Sequence, residues 1–150
     1  MKKILLLTAL FLISFISSCF AVDLNDSRWF RIYDVEADKK YIDMDTIEFA
    51  SDCKNIFNCN KKHRYISGWE YTEHPNNDGY KYTLAYAHWD LDCKKIKYEE
   101  ITAFRNDGTV HGKEDCHFSK PIRSQPGSFL EYELQIIDRI WKEYNTNNKK

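Results

Sequence analysis

The C-terminal part of the chain carries a helical pattern, and this pattern constrains the fold more than any other segment does. Apolar residues recur there at spacings of four, three, four and three positions: Leu130, Leu134, Ile137, Trp141 and Tyr144. Such spacing places them on one side of a helix. Ser128, followed by Glu131, is a capping-box signal for the helix start. An amphipathic helix of this kind must cover an apolar surface, most simply one face of a β-sheet.

The segments before the helix alternate apolar and polar residues, which is typical of strands. The longest is 80–91, which presents two sets of residues to opposite faces: Tyr80, Tyr82, Leu84 and Tyr86 on one, and Ala85, Ala87, Trp89 and Leu91 on the other. Because both sets are apolar, we place this strand centrally in the sheet. Segments 40–44 and 46–49 are two short extended pieces. The sequence therefore predicts an α+β fold, a single antiparallel β-sheet of about five or six strands with one C-terminal amphipathic α-helix packed on one face.

Residues 1–21 have the pattern of a secretory signal peptide. Two lysines precede a 13-residue apolar run at 4–16, and small residues follow through Ala21. The run is too short for a comfortable membrane span. Cleavage after Ala21 would release a soluble periplasmic or secreted protein, which is the form we favour. Residues 16–19 also fit a lipobox, so the alternative is an outer-membrane lipoprotein, bound to the membrane only if Cys19 is lipidated.

The exported part is predicted to be one domain, residues 22–144, with a disordered tail at 145–150. Removing the two signal-peptide lysines from the 22 Lys and Arg leaves 20 basic against 23 acidic side chains, a formal charge of −3. A chain with this balance lacks the basic surface of a nucleic-acid-binding protein. We therefore expect no nucleic-acid partner.

Four cysteines remain in this domain: Cys53, Cys59, Cys93 and Cys116. An even number in an exported chain indicates disulfide bonds. Three pairings are possible, and the one we favour joins Cys53 to Cys59 and Cys93 to Cys116. The pattern of a zinc site is missing because the chain has no paired CxxC motif. We predict no metal.

Catalytic motifs are also missing from the sequence. Neither HExxH nor GxSxG occurs. His111 and His117, with the acidic residues between them, form a conceivable metal or acid–base cluster, but no recognised spacing supports it. The neighbouring carboxylates Glu99 and Glu100 are expected on opposite faces of a strand. Glu133 lies inside the apolar stripe of the helix, where it is either a ligand-binding carboxylate or the partner of a basic residue. We predict no enzymatic activity and no cofactor.

Four short motifs occur in order along the chain. They are a tryptophan within 27–32, Tyr-Ile-Asp-x-x-Thr-Ile at 41–47, Asp-Cys at 92–93 before a basic-aromatic strand, and Pro-Ile and Pro-Gly-Ser within 121–128. In this order they resemble the surface-adhesin E-like domain family, small exported proteins of Gram-negative bacteria. The resemblance covers about residues 29–141. It implies a small antiparallel sheet with a C-terminal helix, in a cell-envelope protein.

The resemblance also carries expectations about cysteine pairing and function. Family members often have a cysteine at the end of the last helix, which this chain lacks, so the resemblance implies Cys116 as the partner of Cys93. It implies an exported, non-catalytic domain that binds a host extracellular-matrix or envelope protein. Exposed aromatic residues would serve as anchors: Tyr65, Trp69, Tyr71 or Tyr80.

Three alternatives stay open. In the first, the aromatic residues form the core under the helix. In the second, the chain is a periplasmic structural or envelope-maintenance protein without an external ligand. In the third, a small apolar molecule binds between the helix and the sheet.

Overall fold

A computed structural model describes residues 24–50, 63–117 and 119–147. These residues form one antiparallel sheet of eight strands with an α-helix packed against it, which confirms the predicted α+β class. The elements in chain order are β1 (Trp29–Asp34), β2 (Lys39–Asp43), β3 (Glu48–Ala50), β4 (Tyr65–Glu73), β5 (Tyr82–Asp90), β6 (Lys95–Phe104), β7 (Val110–Asp115), β8 (Ile122–Arg123) and α1 (Phe129–Asn147).

Several predictions fall outside the described residues. They concern the signal peptide at 1–21 with Cys19, the cysteines Cys53 and Cys59, and positions 148–150 of the tail. The rest of the predicted tail is helical, because α1 continues to Asn147 rather than ending at residue 144.

The main path through the sheet runs β1-β2-β4-β5-β6-β7, so six strands form its body, within the predicted number. The two remaining strands, β3 and β8, are short, and each pairs with a strand that already has a longer neighbour on the same edge. β2 and β3 both pair with β4, and β7 and β8 both pair with β6. A 3-10 turn at Met44–Thr46 separates β2 from β3, and the Asp43 side chain caps it by accepting the N–H of Asp45. The two short extended pieces predicted here are thus β2 and β3.

β5 lies in the middle of the sheet and defines its two faces. Ala87 and Trp89 have no exposed surface and belong to the core beneath α1. Tyr82 and Tyr86 lie on the opposite side, as the alternation predicts. We call the side covered by α1 the inner face and the other side the outer face.

The core between α1 and the inner face is built from aliphatic side chains around one tryptophan. Ile137 on α1 is fully buried, as are Ile42, Ile66 and Trp89 from β2, β4 and β5. At the start of α1 the Ser128 hydroxyl accepts the Glu131 N–H, so the predicted capping residues are confirmed. This packing fixes α1 to the inner face and leaves the outer face without a covering helix among the described residues.

Candidate functional site

The aromatic residues predicted as anchors lie away from the helix. Tyr65, Trp69 and Tyr71 alternate along β4 with Ile66, which packs in the core, so all three are on the outer face. Tyr65 and Tyr71 are nevertheless buried, whereas Trp69 is half-buried. Tyr80 lies just before β5, edge-on to His74. The alternative that these residues form the core under the helix is therefore wrong.

The outer face carries a continuous row of aromatic rings that crosses five strands. Tyr71 on β4 is its centre, with ring centroids 6.0 Å from both Trp29 and Tyr41 and 5.2 Å from Tyr82. Tyr82 in turn stacks on Phe104 at 4.8 Å. Such contacts contribute about 0.5–1.5 kcal/mol for each pair beyond the area they bury. We call Trp29, Tyr41, Tyr71, Tyr82 and Phe104 the aromatic row.

Next to the aromatic row is an open groove of about 460 Å³, which we call the acidic groove. Its residues come from four strands and the segment after β7: Trp69, Tyr86, Glu99, Glu100, Asp115 and His117. The Trp69 and Tyr86 rings meet edge to face at 5.3 Å and form an aromatic wall. The groove therefore combines a flat apolar wall with three carboxylates.

The acidic groove exists because of a bulge in β6. Tyr86 pairs with Glu100 and the next residue of β5, Ala87, pairs with Tyr98, so Glu99 is an extra residue in the strand. Both Glu99 and Glu100 consequently line the groove. The expectation that they lie on opposite faces is wrong, since it assumed an unbroken alternation.

The charges around the groove are predominantly negative. Register places Glu48, Glu99, Glu100 and Asp115 on this part of the outer face, with Lys97 and Lys113 as the basic side chains. Lys113 pairs with Glu100 at 2.8 Å, and Glu99 contacts Nε2 of His88 at 3.2 Å. Burial lowers the pKa of His88, although Glu99 opposes this. Because His88 is then mostly neutral at pH 7, it does not cancel the charge of Glu99.

A second polar cluster is buried between the sheet and the helix. Lys40 Nζ lies 3.1 Å from Glu70 Oε1 and 3.0 Å from Glu133 Oε2, and the Trp89 indole donates to Glu133 Oε1 at 2.6 Å. Glu133 is thus the partner of a basic residue. We call Lys40, Glu70 and Glu133 the buried ion cluster.

The buried ion cluster holds one basic and two acidic side chains that are almost completely shielded from solvent. Burial raises the pKa of Glu70 to about 7; Lys40 opposes that rise and Glu133 adds to it. For Lys40, burial favours a lower pKa, but the two glutamates hold it well above its ordinary value. The rings of Tyr98 and Tyr33 complete the surroundings, and burial raises the pKa of both phenols. The cluster is closed over by α1, so it joins helix to sheet rather than receiving a ligand.

The predicted bond between Cys93 and Cys116 is not formed, and both residues are free cysteines. The sheet register gives the reason. The Cys116 N–H donates to the Glu99 carbonyl, whereas Cys93 lies in the turn before Lys95. Glu99 is four residues along β6 from Lys95, roughly 13 Å at the usual rise of a strand. A disulfide needs α-carbons within about 7 Å.

The histidine cluster that the sequence made conceivable, but did not support, is not assembled either. Consecutive residues of β7 alternate between faces, so Glu114 and Asp115 point to opposite sides, and Asp115 accepts the N–H of His117. His111 lies near Tyr80 instead, with ring centroids 5.9 Å apart.

A further opening lies between α1 and the sheet edge. It is a mostly apolar cleft of about 510 Å³ whose lining includes Phe30, Phe49 and Ile140. Nothing among the described residues indicates an occupant for it.

No protein-family model, curated protein or solved structure matches this chain. The resemblance to the surface-adhesin E-like domains therefore stays a prediction. Among the described residues, no helix is both long enough and apolar enough to cross a membrane.

Proposed function

We propose that this chain is an exported, non-catalytic cell-envelope domain that binds a protein through its outer sheet face. The partner is a host extracellular-matrix or envelope protein that presents lysine or arginine side chains. One observation carries the proposal: the acidic groove adjoins the aromatic row on the face that α1 does not cover.

Aromatic side chains on the face of a sheet are well suited to anchor a protein–protein interface. Tyrosine and tryptophan are enriched among the residues that dominate binding energy, because they bring large contact area with few rotatable bonds. Trp69 is the best candidate, since it is half-buried in the groove while Tyr71 beside it is buried. The aromatic row gives Trp69 a rigid neighbourhood.

The charge of the groove selects the chemistry of the partner. An arginine or lysine stem can pack on the Trp69 and Tyr86 rings, where the positive head is attracted by the ring faces. Glu99 and Asp115 then lie at the groove edge as acceptors. An acidic partner would meet like charges there and bind poorly.

The predicted signal peptide and the family resemblance agree with this function. Both predict export, and an exported domain can meet a partner through an adhesion surface.

Binding of the purified mature protein to an immobilised extracellular-matrix preparation tests the proposal. Trp69→Ala and Asp115→Asn are each expected to weaken binding at least about fivefold, which corresponds to about 1 kcal/mol, a loss that only a minority of interface residues exceed. Matched controls are Tyr132→Ala, an exposed tyrosine on α1, and Glu36→Gln, an exposed carboxylate in the β1–β2 loop. Equal binding by all four variants would refute the assignment of the surface.

Antibody labelling of intact cells separates the proposal from the envelope-maintenance alternative. The proposal expects antibody against the folded domain to label unopened cells. Labelling only after the outer membrane is opened would exclude host adhesion and favour a periplasmic role.

A further inference from the structure

Three side chains with metal-binding atoms meet at one end of the central strands. His63 lies just before β4, Asp90 ends β5, and Cys93 lies in the turn between β5 and β6. His63 Nδ1 is 3.1 Å from Asp90 Oδ2 and 3.4 Å from Cys93 Sγ. All three ligand atoms lie within 4.8 Å of one another.

Backbone contacts hold this arrangement in place. The second oxygen of Asp90, Oδ1, accepts the N–H groups of Asp92 and Cys93 at 3.1 and 2.8 Å, which leaves Oδ2 directed at His63. The Leu91 N–H donates to the Arg64 carbonyl at 3.0 Å and ties the turn to the start of β4. Arg64 itself is engaged by Asp92 and Asp138.

The two distances from His63 Nδ1 are close to those between the ligands of a tetrahedral zinc ion. Zinc lies roughly 2.0–2.1 Å from imidazole nitrogen, 2.0–2.2 Å from carboxylate oxygen and 2.3 Å from thiolate sulfur. At tetrahedral angles these lengths place nitrogen and oxygen about 3.3 Å apart, and nitrogen and sulfur about 3.6 Å apart. The two measured distances are each about 0.2 Å shorter, so small side-chain movements make room for an ion.

We propose that His63, Asp90 and Cys93 form a site for a divalent metal of the zinc class, with a fourth position open to water. The ligand set excludes calcium and magnesium as preferred ions, because both select oxygen ligands. Imidazole, thiolate and carboxylate together suit zinc. Asp90 is 1% exposed, whereas His63 and Cys93 are half-buried, so an ion can reach the site from solvent.

His63 is distant in sequence from Asp90 and Cys93, which hides the site from motif analysis. His63 precedes Asp90 by 27 positions and Cys93 by 30. Only the pairing of β4 with β5, in which Tyr65 is opposite Asp90, brings them together. Because Tyr65 is on the outer face, the proposed site lies at one end of that face. None of its three residues lines the acidic groove, so its test does not depend on the function proposed above.

Metal content of the mature protein, purified from the exported fraction without chelator, is the first test. The proposal expects one zinc ion per chain, or stoichiometric uptake of added Zn²⁺ by the chelator-treated protein. Peptide mapping without reduction is done on the same sample. A disulfide at Cys93, or no Zn²⁺ binding by calorimetry, would overturn the proposal.

Variants then assign the ligands. Loss of a residue that only supports a metal ligand typically weakens metal binding about 10–100-fold. Cys93→Ser and His63→Ala remove a ligand itself, so each should weaken Zn²⁺ binding by at least that factor. Cys116→Ser is the matched control, because Cys116 is a free cysteine near the end of β7 and should leave binding unchanged.

The absorption spectrum of the cobalt(II) complex separates loss of the sulfur ligand from misfolding of the variant. Chelator-treated wild-type protein loaded with Co²⁺ should show a sulfur-to-cobalt charge-transfer band, and Cys93→Ser should lose this band while circular dichroism confirms its fold. A wild-type cobalt complex without that band, or a Cys93→Ser protein that keeps it, would contradict the assignment of Cys93.

Discussion

Glu70 in the buried ion cluster is expected to make the protein less stable as the pH rises from about 4.5 to about 7. Burial raises the pKa of this carboxyl group from 4.5 to about 7, while Lys40 opposes the rise and Glu133 adds to it. In the unfolded chain the group loses its proton near its ordinary value, but in the folded protein it retains the proton until about pH 7. The folded protein therefore binds more protons across this range, so its stability falls as the pH rises through it.

The size of the effect follows from the two pKa values. At 1.36 kcal/mol for each pH unit between them, ionised Glu70 costs about 3 kcal/mol above pH 7. The structure gives the physical reason. Lys40 is shared with Glu133, and Glu70 Oε2 is buried without a hydrogen-bond partner among the described residues. One lysine does not neutralise two carboxylates when all three side chains are buried.

Glu70→Gln removes the charge with little change in shape. The variant is expected to gain stability relative to the wild type at pH 8, and this gain should exceed the gain at pH 5 by about 2–3 kcal/mol. Urea unfolding followed by tryptophan fluorescence at both pH values measures it. Glu36→Gln, at an exposed position, is the control and should shift stability equally at both pH values. A Glu70→Gln difference that is the same at pH 5 and pH 8, or that is reversed, would refute this reasoning.

Three further predictions concern the core and the cysteines. Lys40→Met should cost about 3–5 kcal/mol in urea unfolding at pH 8, because it leaves two buried carboxylates without a cation; a loss below 1 kcal/mol would contradict the role of the cluster. Ile137→Ala should cost about 2–5 kcal/mol in the same assay, since the side chain is fully buried; an unchanged midpoint would place α1 elsewhere. Peptide mapping without reduction should find no peptide that joins Cys93 to Cys116, and its detection would contradict the register of β6 with β7.

Local patterns predicted the elements and their faces well. The alternation in 80–91 placed Trp89 and Tyr86 on opposite faces of the sheet, because side chains along an unbroken strand alternate in this way. The apolar stripe with Ile137 predicted a helix that covers a sheet, since an exposed stripe of that size is unfavourable.

The candidate sites depend on the pairing and register of strands, which the sequence pattern does not predict. The aromatic row arises from register between five strands, so Trp29 and Phe104 belong to one surface although 75 positions separate them. The bulge at Glu99 reverses the expected face of one glutamate, and no residue type near it signals the extra position. The sequence also did not show which side of the sheet α1 would cover, so it left open whether Trp69 and Tyr71 lie under the helix or on the other face.

The predicted bond between Cys93 and Cys116 is not formed for a related reason. An even number of cysteines predicts bonds but contains no information on register, and register separates Cys93 from Cys116. The same turn brings Cys93 to His63, a contact that the distant sequence positions conceal.

Footprinting of the bound mature protein tests most directly whether the outer sheet face is the binding surface. Side-chain oxidation by hydroxyl radicals, read by mass spectrometry, is compared for the free protein and for the protein bound to the extracellular-matrix preparation. Binding through the outer face predicts that Trp69 and Tyr86 become protected, while the exposed Phe129 and Tyr132 of α1 keep their reactivity. Protection of the two α1 residues with unchanged oxidation of Trp69 and Tyr86 would contradict it.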